Sequence, residues 1–323
     1  VVLLCLQKKH AKSTGKAQQT YASKGRPMTE IIANLSQISD RYDAIFCDLW
    51  GCLHNGVAPY PEAVAALQAF RAKGGHVIML TNAPRPKNII INQLDAMNVP
   101  RDAWDDVVTS GDAAQYAMLT GAVGHKIHFI GAPKDESFFT DFADDLKTVA
   151  AQNPPIERVA TKDAQGIICT GLSDDLNETP DDYMITLKLA KTLDLPMLCA
   201  NPDITVHMGD KLLYCAGALA KAYEDMGGTA LYFGKPHPPI YDLARRRLGL
   251  LGGKSDGQIL CIGDGINTDV QGAMGESLDA LFVTGGLAAE HFGTDSANPN
   301  KGLLENWLDD RMMSPTFSIG RLK

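Results

Sequence analysis

The chain has 323 residues and a formal charge of -8, with 45% hydrophobic and 21% charged residues. That size admits one large domain or two of ordinary size, and the balance is that of a globular protein. No long basic stripe is present, which sets nucleic acid aside as a partner. No apolar run reaches the roughly 18–20 residues of a spanning helix, which sets the membrane aside. The seven cysteines are scattered and odd in number, with no CxxC pair, a usage expected of a reducing, cytoplasmic compartment.

Residues 1–27 form a polar Gln- and Lys-bearing tail that is expected to be disordered. From Met28 to Gln37, Ile31, Ile32 and Leu35 fall at helical spacing and predict a short amphipathic helix. Ala44-Ile-Phe-Cys47 reads as a buried strand that delivers a carboxylate, Asp48, to its tip and breaks at Gly51. Pro61 opens a helix that runs past Phe70 and stops at Lys73-Gly74-Gly75. His76–Leu80 is a second buried strand, ending in Thr81-Asn82. A helix near Pro86 follows, and Val107-Val108 begins a third strand that leads through Thr109-Ser110-Gly111 into another helix. This alternation predicts a Rossmann-like α/β core, a parallel sheet with helices on its faces.

Between residues 124 and 229 the rhythm changes. Short strands at His125–Gly131, Gly166–Gly171 and Pro196–Ala200 are separated by Asp- and Pro-rich turns, with helices from Asp181 to about Leu193 and from Leu212 to about Met226. This predicts an inserted α+β cap domain over 124–229, with 28–123 and 230–323 making one core. The core rhythm resumes with a strand at Ala230–Phe233 ending in Gly234-Lys235-Pro236, another at Gln258–Ile262 ending in Gly263-Asp264-Gly265, and a third at Ala280–Val283. Arg245-Arg246-Arg247 reads as a solvated helix face.

The strand tips collect Asp48, Thr81, Asn82, Lys235, Asp264 and Asp269. Carboxylates are hard oxygen ligands suited to Mg²⁺, which favours a phosphate oxygen among its ligands. A hydroxyl, an amide and backbone N–H groups near Asn82 and Gly51 donate to an anion, and Lys235 adds a point charge. Singly, each group has a bland use: Asp48 as a turn cap, Thr81-Asn82 as a turn, Lys235 in a surface loop, Asp264 and Asp269 in an acidic helix cap. Their order, each after a buried strand, points jointly to a phosphoryl site, with Asp48 able to attack if its charge is neutralised.

This set resembles the haloacid dehalogenase superfamily of phosphohydrolases, in the arrangement of its class IIA sugar-phosphate and nitrophenyl-phosphatase-like members. The motifs are Asp48-Leu-Trp-Gly-Cys-Leu53, Leu80-Thr-Asn82, Gly234-Lys-Pro236 and Gly263-Asp-Gly-Ile-Asn-Thr-Asp269. The resemblance implies a Mg²⁺-dependent hydrolysis of a small phosphate ester, such as a sugar phosphate, through an aspartyl-phosphate on Asp48. It implies metal binding by Asp48, the Trp50 carbonyl and Asp264, with Asp269 supporting the metal directly or through water, phosphate binding by Thr81, Asn82 and Gly51, and stabilisation of nucleophile and phosphate by Lys235. In the cap it implies substrate contacts from Asn201, Asp203 and His207, and pairing of two copies through the caps.

One position departs from the pattern. The family has a second aspartate two residues after the nucleophile, where this chain has Trp50. Indole can neither protonate a leaving group nor activate water. His54 is the first candidate to substitute, and a nearly silent protein that binds a phosphorylated ligand is the alternative. Gly252-Gly253-Lys254-Ser255 is not a phosphate loop: position 248 is Leu where that motif requires Gly, and the segment precedes a strand rather than following one.

Overall fold

The computed structural model describes residues 28–208, 211–254 and 257–323. The expected disorder of residues 1–27 falls outside them. In chain order, β1 (Glu30–Ile31), β2 (Ala44–Cys47), β3 (His76–Thr81) and β4 (Asp106–Thr109) come first. Next come β5 (Lys126–Ile130), β6 (Glu157–Arg158), β7 (Gly166–Cys169), β8 (Pro196–Cys199), β9 (Thr205–Met208), β10 (Lys211–Tyr214) and β11 (Thr229–Tyr232). The last strands are β12 (Ile259–Gly263), β13 (Asp279–Val283) and β14 (Phe317–Ile319). One all-parallel sheet runs β1-β14-β13-β12-β2-β3-β4, and a second runs β11-β8-β7-β5-β6.

The first sheet is buried on both faces because its central strands β2, β3 and β12 are apolar through their middles, and alternation divides their side chains between two cores. Ile45, Cys47, Val77, Met79, Leu260 and Ile262 pack against α1 (Pro61–Ala72) and α2 (Lys87–Ala96). On the other face Phe46, Ile78, Leu80, Val108 and Phe282 pack against α3 (Ser110–Leu119) and residues 238–250. The latter core continues into the second sheet through Ile127, Ile168 and Leu198, and short helices α4 (Ser137–Thr140) and α5 (Asp144–Gln152) join it there. The remaining face of the second sheet packs on α6 (Met184–Thr192) and α7 (Ala216–Asp225).

Several expectations are corrected. Residues 28–37 are not a helix: Glu30 and Ile31 pair with Phe317 and Ser318 of β14, and Leu35–Gln37 is one 3₁₀ turn. Three apolar residues are too short a signal against an open strand edge with free ladder partners. Within 124–229 the larger sheet is wholly parallel, and an antiparallel hairpin β9–β10 occupies the start of the expected Leu212–Met226 helix. The strand ending at Tyr232 belongs to the second sheet, paired with β8, so the chain re-enters the first sheet only at β12.

Arg247 is not solvated. On α8 (Pro238–Leu250) it shares the face of Ile240, Leu243 and Ala244, is 2% exposed, and ion-pairs with Asp112 of α3 and Asp145 of α5. Its position at i, i+3, i+4, i+7 within the apolar stripe was the available sign. No described helix is long and apolar enough to cross a membrane.

Candidate active site

Strand order reverses between β2 and β12, since β3 and β4 extend to one side of β2 and β12–β14 to the other. At such a switch point the loops after the strands diverge and leave a crevice at their C-terminal ends. The register pairs Cys47 with Ile262, and the Asp48 N–H donates to the Ile262 carbonyl at 2.8 Å. Asp48 and Asp264 therefore leave adjacent strands side by side. One oxygen from each and the Cys52 sulfur lie within 4.8 Å of one another.

Lys235 is 3% exposed, and its Nζ lies 2.6 Å from an oxygen of Asp48 and 2.6 Å from one of Asp269. The other Asp269 oxygen accepts the Gly265 N–H at 3.0 Å. Asp269 thus holds the lysine through one oxygen and the Gly265 turn through the other. Asp264 accepts the Leu287 N–H at 2.9 Å. A Cβ at Gly51 or Gly286 would overlap the Asp264 carboxylate, so both backbones close on it only as glycine. Gly51 also has φ +72°, and its N–H donates to the His54 carbonyl at 3.0 Å. Its expected role as a phosphate donor is thereby taken within the turn.

Three buried carboxylates face one ammonium. Burial and the neighbouring Asp48 and Asp269 push Asp264 up to about 8. Burial, opposed by Lys235, leaves Asp269 at about 6. Burial also raises Asp48 against the pull of Lys235. Burial alone would lower Lys235, but Asp269 and Asp48 outweigh it and hold the ammonium well above its usual value. With all three acids ionised the cluster carries two uncompensated negative charges, and the oxygens of Asp48 and Asp264 are hard donors. The residues present fit Mg²⁺. Cys52 does not improve that fit: burial and then Asp264 raise its thiol well above the ordinary value, and a neutral soft sulfur is a poor Mg²⁺ ligand.

Thr81 is buried at the tip of β3, where its hydroxyl accepts the Ala83 N–H at 3.3 Å. The Asn82 side chain is fully occupied. Its oxygen accepts the Lys235 N–H at 2.7 Å, and its amide donates to the Lys235 carbonyl at 3.0 Å and to Asp203 Oδ1 at 2.9 Å. It ties the lysine loop to the second sheet instead of offering its amide to a phosphate. Asn201 in turn accepts the Asp203 N–H at 3.0 Å. The backbone of His207 lies in β9, and its side chain is outside the described residues.

Trp50 is 45% exposed, with its ring over Gly56 and its centroid 5.6 Å from that of His54. His54 is 1% exposed, its Nδ1 accepts the Gly56 N–H at 3.0 Å, and burial lowers it to about 4. A neutral imidazole locked into the turn is a poor proton donor near pH 7, so the expected substitute acid is not supplied there. Sequence reading missed Gly286 and the Leu287 amide; the only sign was Gly285-Gly286 after β13.

A parallel sheet whose switch point sets an aspartate against a buried lysine and a second aspartate defines a doubly wound α/β protein with a site suited to an anion beside a cation. Family models agree: one described as haloacid dehalogenase-like hydrolase matches residues 45–143, and one described as HAD-hydrolase-like matches residues 232–306. The chain is 40% identical to a haloacid dehalogenase-like hydrolase from Brucella suis 1330, covering 91% of this chain and 100% of that one with a TM-score of 0.75. It therefore belongs to the haloacid dehalogenase-like hydrolase family. It is also 23% identical over 278 residues to the 5'-nucleotidase YutF of Bacillus subtilis strain 168, covering 83% of this chain and 98% of that protein. A glycerol phosphate phosphatase from Mycobacterium tuberculosis in complex with magnesium matches at 21% identity with a TM-score of 0.59, covering 83% of this chain and 78% of that one.

Proposed function

We propose that this hydrolase is a Mg²⁺-dependent phosphomonoesterase acting on a small phosphorylated metabolite, with Asp48 as nucleophile. The observation that carries the reading is the Asp48–Lys235–Asp269 bridge beside Asp264 at the switch point. The relative crystallised with magnesium supports the cation and the ester class.

An Asp48 oxygen attacks phosphorus, the bond from phosphorus to the ester oxygen breaks, and the leaving oxygen takes up a proton. Water then attacks the phosphorus of the aspartyl-phosphate, releasing phosphate and restoring the carboxylate. Lys235 offsets the negative charge that otherwise repels a phosphate dianion from Asp48. Asp269 and the Asn82 amide hold that lysine and its loop. The Thr81 hydroxyl flanks the phosphoryl position. Asp48, Asp264 and the Trp50 carbonyl would hold Mg²⁺, which would supply further neutralisation of the transferring group.

Trp50 and neutral His54 leave the protonation of the leaving oxygen to water in the cleft. The same feature favours a second reading, a protein that binds a phosphorylated ligand and hardly turns it over. Phosphate release from sugar, aryl and acyl phosphates with Mg²⁺ separates the two. Turnover that drops at least 10³-fold in Asp48→Asn supports the enzyme, and ligand binding with no turnover across the panel favours the binder. The six described cysteines are free and buried, which supports a cytoplasmic location.

A further inference from the structure

The gap between Asp48 and Asp264 has a third wall that the phosphatase reading does not use. Cys52, one residue past the Gly51 turn, is 1% exposed, and its sulfur stands within 4.8 Å of an oxygen of Asp48 and of one of Asp264. Among the described residues its thiol has no hydrogen-bond acceptor. Cys47, at the end of β2, differs: its thiol donates to the Asp48 carbonyl at 3.2 Å. Asp264 is held in place by the Leu287 N–H and by the close backbones of Gly51 and Gly286. A buried, unpartnered sulfur thus faces two carboxylates that leave adjacent strands.

Two oxygens and a sulfur are a poor set for Mg²⁺, which demands oxygen ligands in a near-ideal octahedron. They suit a borderline-soft ion such as Zn²⁺, which takes thiolate at about 2.3 Å and carboxylate oxygen at about 2.0–2.2 Å in a tetrahedron. Around such an ion neighbouring ligand atoms sit about 3.5 Å apart, so atoms already within 4.8 Å of one another close by at most about 1.3 Å.

We propose that Asp48, Asp264 and Cys52 form a mixed oxygen–sulfur site that takes Zn²⁺ in competition with Mg²⁺, and that the zinc form is inactive. On binding, the S–H bond of Cys52 breaks, a zinc–sulfur bond forms, and the proton passes to solvent. The binding stands on the three side chains alone, whereas the inactivity rests on the phosphatase reading. Two carboxylates balance the charge of Mg²⁺. With a thiolate added, three negative charges face the two positive charges of zinc, so the zinc form repels a phosphate dianion instead of neutralising it. Lys235 does not make up the difference, because it already bridges Asp48 and Asp269.

The test uses untagged protein, with Co²⁺ as a coloured stand-in for Zn²⁺, because cobalt–thiolate bonds give a near-ultraviolet charge-transfer band that cobalt–carboxylate bonds lack. The wild type is expected to show that band, Zn²⁺ to erase it, and excess Mg²⁺ to oppose its formation. Cys52→Ala is expected to lose the band and to bind Zn²⁺ at least tenfold more weakly. Cys52→Ser, closer in size, is expected to lose it as well, and a wild-type Tm in either variant shows that the fold is intact. With Mg²⁺ and a phosphate ester, the Zn²⁺ concentration that halves each protein's own Mg²⁺-supported rate is expected to rise at least tenfold in both variants. No band in the wild type, a band or zinc affinity that survives in both variants, or binding indifferent to Mg²⁺ overturns the site. A zinc-loaded wild type that still releases phosphate overturns the inactivity. A wild type that shows the band but hydrolyses no ester supports the site and overturns the phosphatase reading instead.

Discussion

In the proposed reaction, Trp50 and His54 set how the leaving oxygen is treated. An aspartate at position 50 restores a carboxyl to the place where indole now lies over Gly56. General acid help contributes about 10²–10⁴-fold. We expect Trp50→Asp to raise kcat on alkyl phosphates by at least about tenfold and to change 4-nitrophenyl phosphate little, because nitrophenolate leaves without a proton. Equal effects on both leaving groups in a steady-state assay would show that proton supply does not limit the native rate.

His54 also ties stability to pH. Its folded value of about 4 lies below the ordinary 6.5. Between these values the unfolded chain binds a proton that the native turn excludes. The stabilisation is present in full above about 6.5 and is lost as pH falls toward about 4, by at most about 1.4 kcal/mol per pH unit for this one group. The buried Asp264 and Asp269 titrate in the opposite sense, so the informative quantity is a difference. The Tm of wild type minus that of His54→Asn is expected to shrink between pH 7 and pH 4.5, and a constant gap would contradict a neutral, buried imidazole.

At the scale of elements, α8 shows how one charged residue joins three helices. Arg247 reaches Asp112 on α3 and Asp145 on α5, and also donates to the Val107 carbonyl at 3.0 Å. Burial raises the Asp112 carboxyl despite the guanidinium beside it, so the pair is not a large net source of stability. Removing one partner is a different matter, since it leaves a charge uncompensated in the interior. Arg247→Met is expected to destabilise by about 3–5 kcal/mol in urea unfolding, with Asp112→Leu added to it recovering part of the loss. A single-variant effect below about 1 kcal/mol would mean that the network is open to water.

On the scale of the whole molecule, the two sheets present their strand ends to one cleft, and the loops from both meet at Asn82, Asp203 and Lys235. A cation that displaces the proton of Asp264 meets oxygens of Asp48 and Asp264 already gathered by the fold, so the native state is expected to bind it better than the unfolded chain. Millimolar Mg²⁺ is therefore expected to raise Tm, by linkage of about 2.7 kcal/mol at a concentration 100 times Kd. Gly286→Ala is expected to remove most of that shift, because its Cβ displaces the Asp264 carboxylate. A shift of wild-type size in that variant, followed by differential scanning fluorimetry, would move the cation elsewhere.

Much of this was legible in residue order. Asp48, Thr81, Lys235 and Asp264 each follow an apolar run, and apolar runs joined by helical stretches specify a buried parallel sheet whatever its strand order. The resemblance to the haloacid dehalogenase family rests on the same local motifs. Pairing partners were not legible. The Ala230–Tyr232 strand looks the same in either sheet, β14 is three residues with no alternation to count, and Glu30–Ile31 becomes a strand only because β14 lies alongside. Asn82 and Arg247 changed meaning because their partners are far away in the chain, and His54 because the fold buries its turn. The sequence by itself determined the buried strands and the acids and lysine at their tips, because these depend on local apolar pattern. Only the tertiary structure decided that Lys235 bridges Asp48 and Asp269 and that Asp264 lies beside Asp48, because burial and long-range pairing set the charge and contacts of each group.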